Sequence, residues 1–251
     1  MFVRRAFLPP DTLPPGDRVR WPYTLPVVAG LVGHGIEFST PVTLLAGDNG
    51  TGKSTLVEAV AVAAGFNPEG GSASFRFATR ATESPLGEHV VLQRTPGRKP
   101  RTGFFLRAES YYNVATEIER LDADPDSPPL LGAYGGVSPH HRSHGESFLD
   151  LVNHRFGPHG LYLLDEPEAA LSVHGCLALL LRIAELVDQG SQFLMATHSP
   201  ILLASPGATI LHIDADGTIA PVDYDQAEPV TLTRAFLADP GRFLHHLLGD
   251  R

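Results

Sequence analysis

The chain of 251 residues is 43% hydrophobic and 19% charged, with a formal net charge of −9. That is an ordinary globular composition, long enough for one large domain, or one with an inserted subdomain, around a sizeable core. The acidic balance excludes a surface that coats nucleic acid along its whole face, and the single cysteine, Cys176, excludes an intramolecular disulfide and fits a reducing compartment.

No signal peptide is expected, because the charged start at Arg4 and Arg5 is followed by a short apolar stretch that breaks at Pro9-Pro10. The most apolar segment, Cys176 to Val187, carries Arg182 and Glu185, so it reads as a buried helix and not as a membrane span. A cytoplasmic location follows as the expectation.

In chain order, Phe2 to Leu8 is an expected strand, Pro9 to Gly16 a proline-rich loop, and Pro26 to Val32 an apolar segment. Ile36 to Phe38 and Val42 to Ala46 are strands, the second leading into Gly47-Asp48-Asn49-Gly50-Thr51-Gly52-Lys53-Ser54-Thr55 and then a helical run from Leu56 to Ala64. A glycine-rich loop between strand and helix is a phosphate site. Its backbone N–H groups curl inward and the helix N-terminus adds unpaired donors and partial positive charge. Lys53 supplies a point charge to the β- and γ-phosphates, and the Ser54 hydroxyl is suited to Mg²⁺. The chain has only two lysines, Lys53 and Lys99, so a composition biased toward arginine keeps a compact ammonium at this position. Upstream, Trp21 and Tyr23 either stack on an adenine or pack against the core.

Phe66 to Pro85 is a Gly-, Ser- and Thr-rich stretch with one alternating piece, Phe75-Arg76-Phe77, expected as an edge strand. His89 to Arg94 and Gly103 to Arg107 are expected as a hairpin. Arg94, Arg98, Lys99, Arg101 and Arg107 form a dense basic cluster there, either a solvated turn or a finger contacting nucleic-acid phosphates. Glu109 to Arg120 has helical character, and Leu121 to Pro129 is an acidic, proline-rich surface loop. His140, His141 and His144 lack the spaced Cys or carboxylate partners of a metal site. Gly145 to Phe156 is an amphipathic helix.

The run Gly160 to Asp165 is apolar up to its final acid, which requires cover on both faces and so a parallel sheet between helices. Asp165 at its end is placed for the Mg²⁺ sphere and Glu166 to polarise a water aimed at the γ-phosphate. A long helix to Gln189, a strand from Gln192 to Ala196 and the turn Thr197-His198-Ser199-Pro200 follow. His198 is either a satisfied polar residue or a sensor of the γ-phosphate. Strands at Thr209 to Ile213 and Thr218 to Val222 and helices from Thr231 to Leu248 complete the reading.

Taken together these residues resemble the ATPase domain of the ABC superfamily, in the soluble branch that includes SMC, RecF and OLD-type proteins and small predicted "AAA family" ATPases. The matching pieces are the Walker A loop Gly47 to Thr55, a signature-like Ser143-His144-Gly145-Glu146-Ser147, the Walker B segment Leu161 to Glu166, a D-loop-like Ala169-Ala170-Leu171-Ser172, and the switch His198. The implied fold is an α/β P-loop NTPase: a mostly parallel sheet flanked by helices, an antiparallel β portion, and a small helical subdomain at 109–157 within a single domain spanning 1–251.

The resemblance implies ATP and Mg²⁺ as ligands and an ATP-dependent, head-to-tail homodimer. Asn49, Gly50, Thr51, Gly52, Lys53, Ser54 and Thr55 would hold the nucleotide, with Ser143 and Gly145 reaching the partner's γ-phosphate. Ser54, Asp165 and Glu109 would serve the metal, Glu109 standing where the family has its Q-loop glutamine and Gln93 being the nearby glutamine. Glu166 would be the general base and His198 the switch. The D-loop aspartate is replaced by Ser172. The expected function is an ATP-hydrolysing switch acting on double-stranded DNA, through Arg94, Arg98, Lys99 and Arg101, or on a partner protein. The alternatives are the nucleotide-binding subunit of an ABC transporter and a P-loop kinase of a small metabolite.

Overall fold

The computed structural model describes residues 1–12, 16, 19–72, 84–108, 116, 120, 122 and 144–249. The edge strand expected at Phe75-Arg76-Phe77, most of the segments expected as a helix over 109–120 and a loop over 121–129, and the pair His140 and His141 lie outside the described residues.

The first half holds β1 (Val3–Phe7), α1 (Pro26–Leu31), β2 (Ile36–Glu37), β3 (Val42–Gly47), α2 (Lys53–Ala64), α3 (Leu86–His89), β4 (Val91–Arg94) and β5 (Thr102–Arg107). The second holds α4 (His144–Arg155), β6 (Gly160–Asp165), α5 (Val173–Asp188), β7 (Gln192–Ala196), α6 (Pro200–Leu203), β8 (Thr209–Ile213), β9 (Ile219–Val222), α7 (Glu228–Ala238) and α8 (Pro240–Leu248). An antiparallel sheet has the order β2-β1-β4, and a six-stranded sheet the order β5-β6-β7-β3-β8-β9. Within the larger sheet all neighbours are parallel except β9, which turns back on β8. The mixed α/β architecture expected from the sequence is the one observed.

β3, β6 and β7 are buried at every position. Their alternating side chains divide between two cores, as the two-residue period of a strand dictates. Leu45, Leu163, Leu194 and Ile213 join a core with α1, α2 and the antiparallel sheet. Leu44, Tyr162, Leu164, Phe193 and Met195 face a second core with α4, α5 and α6. There the rings of Phe156 and Tyr162 stack at 4.1 Å, and the Tyr162 hydroxyl both donates to the carbonyl and accepts from the N–H of Gly157, each at 2.7 Å.

The hairpin expected between His89 and Arg107 does not form. β4 pairs with β1 and β5 with β6, so residues 95–101 cross from one sheet to the other. The reason lies in burial. Phe104, Phe105 and Leu106 are buried in succession and need cover on both faces, whereas β4 is largely exposed and suits a sheet with one solvent face. The helices expected from Thr231 to Leu248 are present as two, α7 and α8, separated at Asp239-Pro240, where the Asp239 side chain accepts from the Arg242 N–H at 2.9 Å. Among the described residues no helix is long and apolar enough to cross a membrane.

Gln192, at the start of β7 and 3% exposed, fastens the two sheets together. Its Oε1 accepts from the N–H groups of Phe2 and Val3 at 2.7 and 3.0 Å, and its Nε2 donates to the Val3 carbonyl at 2.8 Å. Gln192→Ala removes these partners from buried backbone groups. It should lower the unfolding free energy by about 2–4 kcal/mol, seen as a lower urea midpoint with an unchanged slope.

Candidate functional site

The site is assembled by strand register. Asp165 pairs with Ala196, and Leu45 pairs with Ala196 from the other side. The ends of β6, β7 and β3 therefore lie next to one another, and the segments leaving them emerge at one edge: Glu166, Thr197-His198 and the loop from Gly47. Open parallel sheets bind ligands beyond this edge.

In the loop, Gly47, Gly50 and Gly52 have φ of 141°, 83° and 96°, values that favour glycine. Space matters as well. A Cβ on Gly47 would stand 2.4 Å from the Ile213 carbonyl oxygen, and one on Gly52 would stand 2.5 Å from Val27 Cγ1. The Thr51 hydroxyl donates to the Asp48 carbonyl at 2.9 Å, tightening the turn. Lys53 is 3% exposed, and its Nζ donates to the carbonyls of Gly47 and Asp48 at 2.8 and 2.7 Å. Burial holds its pKa below the ordinary lysine value, against the opposing pull of Glu166, Asp165, Asp48 and Glu168.

Asp165 closes β6 and is buried. Glu166 follows in the left-handed region, φ 48° and ψ 52°, and its N–H donates to the Ala196 carbonyl at 3.0 Å. For a residue with a Cβ this conformation costs about 1–2 kcal/mol, a strain typical of functional turns. It brings Glu166 Oε1 to 3.7 Å from His198 Nε2. Glu168 completes the arrangement, its Oε1 accepting the backbone N–H of His198. Ser172 at the D-loop-like position caps α5, its hydroxyl oxygen accepting from the Gly175 N–H at 3.2 Å.

Asn49, Gly50, Gly52, Lys53, Ser54, Thr55 and Glu166 line one cavity of about 240 Å³, together with Leu25 and Trp21. Trp21 is 57% exposed beside the loop. Tyr23 is engaged elsewhere, its hydroxyl 3.0 Å from His89 Nδ1 and its ring edge-on to that imidazole at 5.8 Å. Of the two aromatic rings, Trp21 is the one that reaches the cavity and Tyr23 the one that packs. Gly145 is not among the lining residues; it lies beside the turn after β6, where a Cβ would stand 3.2 Å from the Ala170 carbonyl oxygen. Glu109 and Ser143 lie outside the described residues. Gln93 is in β4, on the antiparallel sheet and opposite Arg5.

The donor set suits a nucleotide with a hard cation. Among the described residues no group of three or more His, Cys, Asp and Glu side chains forms a metal cage. A cation held by the Ser54 hydroxyl and the Asp165 carboxylate, with the remaining oxygens from phosphate and water, needs no such cage and matches the habit of Mg²⁺.

Two contributors escaped the sequence reading. Arg107, counted there with the basic cluster, points inward: its Nη1 is 2.7 Å from Glu58 Oε2 and its Nε is 3.3 Å from Asp165 Oδ2. Glu58 was the available signal, a carboxylate within the apolar run Leu56 to Ala64 that requires a buried counter-charge. Arg94, Arg98, Lys99 and Arg101 are exposed, as a surface cluster requires.

Residues 33–97, from the turn before β2 through the loop and α2 to the crossover, match the AAA domain family. None of the curated proteins matches the chain. Similar solved structures include the SMC head domain from Thermotoga maritima, 15% identical over 75% of this chain and 92% of that one, with a TM-score of 0.40. A structure described as an inward-facing, metal-chelate-type ABC transporter is 16% identical over 76% of this chain and 75% of that one, TM-score 0.44. An ATP-binding subunit of an ABC transporter is 20% identical over 81% and 86%, TM-score 0.38. The family match falls on the loop around which the cavity is built.

Proposed function

We propose that the protein is an ATP-hydrolysing molecular switch, in which two copies close head to tail around two Mg-ATP and reopen after hydrolysis. The observation that carries this reading is the meeting of the glycine-rich loop, Asp165-Glu166 and His198 at the ends of three adjacent parallel strands. The loop N–H groups and the α2 N-terminus bind phosphate. Lys53 leaves the Gly47 and Asp48 carbonyls for the phosphate oxygens, regaining a full counter-charge. Ser54 and Asp165 hold Mg²⁺, which supplies neutralisation of the developing charge. Glu166 orients a water and takes its proton, while His198, beside it, registers the γ-phosphate. Trp21 offers its indole to the adenine.

The exposed loop with Arg98, Lys99 and Arg101, next to Arg94, is the candidate contact to double-stranded DNA; a protein partner is the other candidate for what the motion acts on. The setting is cytoplasmic.

Lys53→Ala should weaken nucleotide binding at least 100-fold by equilibrium fluorescence titration. Glu166→Gln should retain binding and lower turnover by about 10² or more, while accumulating an ATP-dependent dimer in size-exclusion chromatography. A Glu166→Gln protein that stays monomeric in saturating Mg-ATP would sink the head-to-tail closure. Trp21→Ala should weaken ATP binding about tenfold and leave inorganic triphosphate binding unchanged, since stacking acts on the base alone. Double-stranded DNA should stimulate turnover at low salt and lose its effect as salt rises; unchanged turnover would redirect the search to a protein partner.

A further inference from the structure

Arg107 stands where two parts of the site meet. It closes β5 in direct register with Asp165 at the end of β6, so the strand pairing itself places the guanidinium beside that carboxylate. One nitrogen, Nη1, lies 2.7 Å from Glu58 Oε2, and Nε lies 3.3 Å from Asp165 Oδ2. Glu58 belongs to α2, the helix that carries Lys53 and Ser54 in its first turn, and its second oxygen accepts the Ser84 N–H at 3.0 Å. The three side chains are mostly shielded from water, with exposures of 21% for Arg107, 10% for Glu58 and 7% for Asp165.

A cation already resides, then, at the carboxylate suited to Mg²⁺. Two positive groups drawing on one buried carboxylate repel each other, and screening by solvent is weak in such a place. Arg107 has somewhere to go: Glu58 is a second carboxylate within its reach, so the guanidinium can shift its weight toward α2 when a divalent ion arrives. We infer that Arg107 is a positioning residue that competes with the divalent cation for Asp165, and that its division between Asp165 and Glu58 sets the concentration of cation at which the site loads. This rests on the nucleotide-switch reading given above.

The test is the Mg²⁺ concentration at half-maximal binding of a fluorescent ATP analogue to the full chain, with melting in excess chelator as a second readout. Arg107→Gln keeps a hydrogen-bonding side chain without the charge, and the midpoint should fall about tenfold. Arg107→Lys, which keeps the charge, should stay near the wild-type midpoint. Glu58→Gln should move the midpoint the other way, since the guanidinium loses its alternative partner and settles on Asp165. If Arg107→Gln alone leaves Glu58 uncompensated and does not fold, the Glu58→Gln/Arg107→Gln double variant removes both buried charges and should show the same fall. A midpoint that is unchanged or raised in the neutral Arg107 variants, with only the melting temperature lowered, would overturn the inference. Wild-type protein that binds the analogue at no Mg²⁺ concentration would instead overturn the nucleotide reading itself.

Discussion

The pairing of β6 with β7 and of β7 with β3 governs the rest of the molecule. Each of these strands is buried along its length and covered on both faces, so its interior offers no place for a charged group. Polar function is displaced to the strand ends, where the chain leaves the sheet. Because the three strands are parallel and adjacent, their C-terminal ends share one edge, and whatever the sequence places there must interact. The glycine loop, the acid pair and the histidine are neighbours for this reason, although more than a hundred positions of sequence separate the first from the last.

Crowding those groups together creates an electrostatic imbalance. Asp48, Asp165, Glu166, Glu168 and Glu58 cluster around Lys53 and Arg107, so carboxylates outnumber cations at the edge. A bare triphosphate would meet a repulsive field beyond the loop. The backbone N–H groups and the helix N-terminus offset part of it without carrying a formal charge, and in the proposed reading a divalent ion would supply the remainder.

What the sequence made legible was the part governed by local rules. The loop from Gly47 to Thr55 announces its own conformation, because its glycines and its strand-to-helix setting require one another. The unbroken apolar run of β6 requires a parallel sheet with two covered faces, and the sheet has them. Local rules mislead where pairing is decided at long range. β4 and β5 are close in sequence and both strand-like, which suggests a hairpin, but the triple burial of Phe104, Phe105 and Leu106 commits β5 to β6, a strand that lies far along the chain. Arg107 follows the same pattern: basic neighbours in sequence suggest a surface position, and only its register with Asp165 reveals where it points. Ser172 was read for its departure from the D-loop pattern, when its local chemistry is that of a helix cap.

One further consequence follows from Glu168 and the strained turn at Glu166. The Glu166 N–H is held by the Ala196 carbonyl, the His198 N–H is held by the Glu168 carboxylate, and the Thr197 N–H is held by the Leu45 carbonyl at 3.2 Å. These bonds stitch the chain leaving β6 to the chain leaving β7, and β7 to β3, just past the point where the sheet stops. Glu166 and His198 are thereby fastened to the strands beneath them. Any hinge of this molecule has to lie outside that stitched rim. A signal from the nucleotide would leave the site as the tilt of a block, and not as the swing of a solitary loop.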